Sequence, residues 1–166
     1  MPVLRAQPLT ARDYEPYGHI VAPGDDHAAR SANQGYAKVW DRLAPMVNTR
    51  SHASLNVSVF RCGPPTLPIA LRCLEKHPFS TQLFVPMARV PYLAVVALGG
   101  DLPDLSTLSA FFVPEGTAIS YSPGIWHHPM LPAGREIDFV CFVHEDGSRD
   151  DCVMTALDAG WFVDFT

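Results

Sequence analysis

The chain has 166 residues, 48% of them hydrophobic, which suits one globular domain across 1–166 and is too apolar for a disordered chain. A formal charge of −5 and a pI near 5.7 supply no basic stripe for a phosphate backbone, so nucleic acid is not an expected partner. The opening MPVLRAQPLTARDYEPYG lacks a continuous apolar stretch, and the longest apolar run, YLAVVAL at 92–98, is far too short to cross a bilayer. A soluble cytoplasmic protein with no membrane partner is expected. Cys62, Cys73, Cys141 and Cys152 show no CxxC spacing and are expected to be reduced. The sixteen prolines, about twice the usual share of about 5%, are spread along the chain and favour short strands and ordered turns.

In chain order, Thr10 followed by Asp13 forms a weak capping box that predicts one helical turn before Pro16. SLNVSVFRC at 54–62 reads as a strand with Leu55, Val57, Val59 and Arg61 on one face and Asn56, Ser58, Phe60 and Cys62 on the other. Further strands are predicted at 68–74, 82–85, 92–98, 117–121, 126–131 and 137–144, a regular spacing that suggests a sandwich or barrel. One helix is predicted at DLSTLSAFF, 104–112, with Asp104 as its cap and Leu105, Leu108, Phe111 and Phe112 as its apolar stripe.

Two stretches carry candidate chemistry. In LEKHPFSTQLFVP, 74–86, Glu75 and His77 are two apart and share one face of an extended strand, with Gln82 after four intervening residues. In GIWHHP, 124–129, strand residues alternate faces, so His127 and His128 cannot both look into one pocket, and Pro129 favours the extended reading. E-x-H-x4-Q resembles the first cupin motif, H-x-H-x3-4-E, and GIWH resembles the end of the second, G-x-x-H. The resemblance implies a mainly β fold, a cupin-like β-barrel (double-stranded β-helix or jelly roll) with a few short helices. It gives His127 the inward, ligand-like position and leaves His128 on the opposite face.

A broader resemblance is carried by LEKHPFSTQLFVPM, VVALGGDLPDLSTLSAF and WHHPML, and runs from about YEPYG to EDGSRDDC. These segments resemble the ureidoglycolate lyase family of the allantoin branch of purine breakdown. That resemblance implies a cytoplasmic homodimer that cleaves (S)-ureidoglycolate, a carbinolamine bearing a carboxylate, to glyoxylate and urea. Such a reaction needs a base for the hydroxyl proton, an acid for the departing nitrogen and a positive charge for the carboxylate.

His127 and His77 titrate nearest neutrality and are the acid and base candidates, with Glu75 as an alternative base. Arg61, with its planar fork, is the candidate carboxylate clamp. Gln82, Asn56 and Ser58 are candidate substrate contacts, while Asp138 and His128 are expected to support an imidazole from behind. Glu75, His77, Gln82 and His127 would form a weak site for nickel or another divalent metal, because a neutral amide replaces the usual carboxylate. No organic cofactor is expected. The competing functions are an amidohydrolase releasing ammonia and carbon dioxide, and a non-catalytic cupin that binds a small acid.

Overall fold

The computed structural model of the protein describes residues 2–24, 29–158 and 160–164. Its organising element is the strand Tyr92–Ala97, in which all six residues are buried. Tyr92, Ala94 and Val96 face one core with Phe111, Val113, Ile119, Phe139 and Cys141. Leu93, Val95 and Ala97 face a second core with Leu71, Leu74, Trp126 and Val163. Burial on both faces explains why this stretch is continuously apolar in sequence rather than alternating.

Around it, one sheet runs in the order Val153–Ala156, Cys73–Lys76, Trp126–His127, Tyr92–Ala97, Ser109–Val113 and Gln7–Pro8, with Leu131–Pro132 also on Tyr92–Ala97. A second sheet runs Gly18–Val21, Ala118–Tyr121, Gln82–Pro86, Ile137–Glu145 and Ser54–Cys62. The inward residues of both sheets share the first core, which makes the fold a mainly β barrel of two sheets with only short helical turns. A small sheet of Val3–Arg5, Phe162–Asp164 and Ile69–Ala70 contributes Ile69 and Val163 to the second core. Thr10 caps the helical turn Ala11–Tyr14 by accepting from the Asp13 amide, as the capping box predicts.

The helix predicted at 104–112 is not present. Asp104 does cap, accepting from the Ser106 amide, but only the single 3-10 turn Leu105–Thr107 follows, and Ser109–Val113 is a strand paired with Tyr92–Ala97. Ala110 joins one core and Phe111 the other. A short strand buried on both faces has the same apolar run as a helical stripe, and only its pairing separates the two. The strand predicted at 126–131 is split into Trp126–His127 and Leu131–Pro132, because Pro129 has no N–H to give the ladder. The stretch 68–74 also divides, Ile69–Ala70 joining the small sheet and Cys73–Lys76 the barrel.

Candidate active site

His127 owes its position to register. It lies opposite Val96 on one side and opposite Glu75 on the other. Val96 belongs to the first core, between the two sheets, so His127 shares that face, while the neighbouring Trp126 lies in the second core. His127 is 1% exposed. His77 follows one residue after the strand Cys73–Lys76 and is also buried, its ring stacked on that of His127 with centroids 5.8 Å apart. The Tyr121 ring stacks on His127 at 4.1 Å with an interplanar angle of 8°.

Hydrogen bonding fixes both imidazoles in one tautomer. His77 Nδ1 is 2.8 Å from the Asp151 carbonyl and His127 Nδ1 is 3.0 Å from the Ile125 carbonyl. A carbonyl only accepts, so each Nδ1 carries the proton and each Nε2 presents a lone pair. Neither Nε2 has a hydrogen-bond partner, although both are buried. His127 Nε2 instead faces Glu75 Oε1 at 3.5 Å. One donor atom each from Glu75, His77 and His127 lies within 4.8 Å of the others. Three acceptors converging in a buried space, with the other imidazole nitrogens bonded to carbonyls, fit a divalent cation, as ligating histidines usually donate their second N–H to such a partner.

The charges follow from the same geometry. Burial raises the Glu75 pKa, but His127 and the neighbouring His77 and His128 outweigh it, and the carboxyl lies below its ordinary value. His77 is pushed down by burial and by His127, and the half-buried His128 by burial, so both are neutral at pH 7. The Cys152 thiol approaches Glu75 Oε2 at 3.9 Å, and burial followed by the nearby carboxylates pushes its pKa up to about 11. Tyr121 stays a phenol, its pKa raised by burial and by Glu75.

Gln82 lies opposite Tyr121, is 3% exposed, and leaves its Oε1 without a partner. Its side chain and that of Ser58 meet the Cys141 thiol, which burial pushes up to about 12. Ser58 and Asn56 occupy the inner side of Ser54–Cys62, opposite Cys141 and Val143, but Asn56 is exposed and donates to Glu145 at 2.6 Å.

Arg61 and Asp138 are not brought to this cluster. Arg61 pairs with Asp138 across the strands, on the face that alternates with the buried Ile137, Phe139 and Cys141. The guanidinium is 69% exposed and binds Asp138 through Nε at 2.9 Å and Nη2 at 3.0 Å. Strand parity therefore sets both on the outer surface, and the Asp138 carboxylate is bound to Arg61 rather than to an imidazole. Among the described residues no Lys or Arg is buried, so no buried basic side chain lies ready to meet a substrate carboxylate. His128 leaves the strand after His127, and its Nδ1 lies 2.9 Å from the Pro129 carbonyl. Sequence reasoning did not single out Tyr121, the Asp151 and Ile125 carbonyls or Cys152. Nothing in their local pattern marks them, since they reach the cluster only through pairing between distant segments.

The inner wall of this β-barrel gathers a carboxylate and two imidazoles, the features of a small-molecule site. Residues 1–164 match the family described as Ureidoglycolate lyase. The ureidoglycolate lyase of Saccharomyces cerevisiae is 36% identical over 177 residues, covering 89% of this chain and 91% of that protein. Those of Pseudomonas paraeruginosa and Pseudomonas putida are 31% and 32% identical, each covering 92% of this chain. The chain thus belongs to the ureidoglycolate lyase family. Similar solved structures include a 3,4-ketoisomerase from Helicobacter canadensis, with 9% identity, a TM-score of 0.41 and coverage of 76% of this chain and 85% of that one. RmlC from Streptococcus suis in complex with dTDP-D-xylose has 10% identity and a TM-score of 0.41, covering 74% of this chain and 63% of that one.

Proposed function

We propose that the chain, acting as one cupin-like unit, cleaves (S)-ureidoglycolate to glyoxylate and urea in allantoin and purine breakdown. The observation that carries this reading is the convergence of Glu75, His77 and His127 inside the barrel of a member of this family. The elimination is balanced without water: the hydroxyl gives up its proton, its oxygen forms the carbonyl, and the C–N electron pair leaves with nitrogen, which takes a proton. An amidohydrolase would instead need an activated water at the carbamoyl carbon.

His77, neutral and with a free Nε2, suits the hydroxyl proton. A proton taken up between His127 Nε2 and Glu75 Oε1, 3.5 Å apart, suits the leaving nitrogen. Gln82, with an unpaired buried carbonyl, suits the ureido N–H groups, and Ser58 lies on the same inner side. The donors Glu75, His77 and His127, with Gln82 as a neutral fourth, also suit nickel or a similar ion, weakly held. Held by these residues, such an ion would supply Lewis-acid chemistry that makes the substrate hydroxyl more acidic.

We also propose a cytoplasmic homodimer. Among the described residues the strand Ser54–Cys62 has a partner on one side only, and it exposes Leu55, Val57 and Val59 by 52%, 55% and 61%, a long apolar stretch of edge strand that soluble proteins usually cover.

The test is to incubate purified protein with racemic ureidoglycolate and measure glyoxylate, urea and ammonia separately, before and after chelation. Equimolar glyoxylate and urea, with activity reduced by chelator and restored by nickel, is the expected result. Ammonia in place of urea would overturn the lyase reading, and turnover lost completely and reversibly on chelation would overturn the weak-metal one.

A further inference from the structure

We infer that Arg50, remote in sequence from the donor set, is a positioning residue that holds His77 in its working tautomer. Arg50 has only 11% of its side chain exposed, and its Nη1 and Nη2 donate to Asp146 at 2.9 Å and Asp151 at 2.5 Å. Asp151 is the residue whose own backbone carbonyl receives His77 Nδ1–H. Its carboxylate also accepts from the amides of Asp146 and Gly147, so the guanidinium and the loop 146–151 close on one side chain.

The same arginine reaches His77 from the other direction. Its guanidinium carbon lies 5.0 Å from the centroid of the Phe79 ring, two residues past His77, and the neighbouring Thr49 amide donates to the Phe79 carbonyl at 2.9 Å. His77 is thus held between two segments that meet on Arg50. His127 has no such support, because its Nδ1 bonds to Ile125 two residues away in its own turn. A lysine at position 50 keeps the charge but cannot grip both carboxylates with one rigid fork. The Asp151 carbonyl then loses its fixed place, and His77 can carry its proton on Nε2, which removes the lone pair from the site.

The inference rests on His77 being a working group of the proposed site, but its main readout needs no turnover. Folded R50K, checked by circular dichroism, is compared with wild type by long-range 1H–15N spectra of the histidine rings at about pH 8, where imidazole is neutral. The expected result is a single Nδ1–H form of His77 in wild type, a mixture of forms in R50K, and an unchanged His127 pattern in both. Nickel affinity measured by calorimetry should fall about tenfold or more, the usual scale for losing the support behind a ligating histidine. For ureidoglycolate, kcat should fall more than KM rises. A folded R50K with lower Tm but unaltered His77 signals and nickel affinity would overturn the inference.

Should R50K not fold, D146N carries the test. It leaves Arg50 and Asp151 in place, weakens one arm of the grip, and should give a smaller change in the same His77 signal, whereas no change would overturn the inference. Failure of wild type to release glyoxylate would overturn the proposed activity and leave the role of Arg50 standing.

Discussion

The strand Tyr92–Ala97 and the strand Ser54–Cys62 belong to opposite sheets of one barrel and live in opposite surroundings. The first has neighbours on both sides, is buried on both faces, and aligns His127 through Val96. The second is an edge, largely exposed, and carries apolar side chains into solvent next to the polar Asn56 and Ser58. Where pairing and packing constrain a strand from every direction, a side chain can be aimed within a fraction of an ångström, and the donors sit there. Where they do not, the surface is free for access and association.

The sharpest way to break this contrast is at the site itself. His127→Ala should lower kcat/KM by about 10²–10⁴-fold, the range expected for losing a proton-transfer group, whereas His128→Ala should cost less than about tenfold. Equal losses in two folded variants would show that the inner and outer positions are not functionally distinct. Packing gives the next largest effect. Leu93→Ala, in the buried strand, should destabilise the protein by about 2–5 kcal/mol in denaturant titrations. Val59→Ser, in the edge strand, should change monomer stability by about 0.5 kcal/mol or less while weakening self-association in sedimentation.

Acid should loosen the site before it unfolds the barrel. Asp146 is held well below the ordinary carboxylate range, chiefly by hydrogen bonds from Ser148, and then by His52 and Arg50. For Asp151, burial pushes upward but Arg50 and the Asp146 and Gly147 amides outweigh it, so this pKa is also lowered. Groups with lowered folded pKa values stabilise above the ordinary value of about 4 and lose that contribution as pH falls through their folded values. Tm should therefore be flat with respect to these groups above about pH 5 and decline towards pH 3, more steeply in wild type than in D151N. The smallest effect is expected at Arg61. Its exposed pairing with Asp138 predicts that R61K leaves KM for ureidoglycolate within about twofold, because surface ion pairs of this kind contribute little.

Sequence periodicity was a good guide to strands with a polar and an apolar face, and to Tyr92–Ala97, whose apolar run is long. It failed at Ser109–Val113, where two buried faces imitate a helical stripe, and at strands as short as Gln7–Pro8 and Arg30–Ala32, which have too few residues to show a period. Within the site, Glu75, His77, Gln82 and His127 were legible through the resemblance of their two short segments to the cupin motifs, and the structure places Glu75, His77 and His127 within reach of one another. Arg61 misled because a basic residue ending an apolar strand gives no sign of which face it occupies, and that face depends on register with Ile137–Glu145. Arg50 and Asp151 are separated by a hundred residues of chain, and only the closed barrel brings them together.

The stacking of Tyr121 on His127 also affects how quickly the site can be filled. The phenol hydroxyl is anchored on the Met130 sulfur at 3.5 Å, and the two rings lie nearly parallel. The imidazole is thereby confined to one orientation before anything binds. Freedom that a mobile side chain would surrender on meeting a ligand has already been surrendered in folding. Binding at His127 therefore requires no search among rotamers.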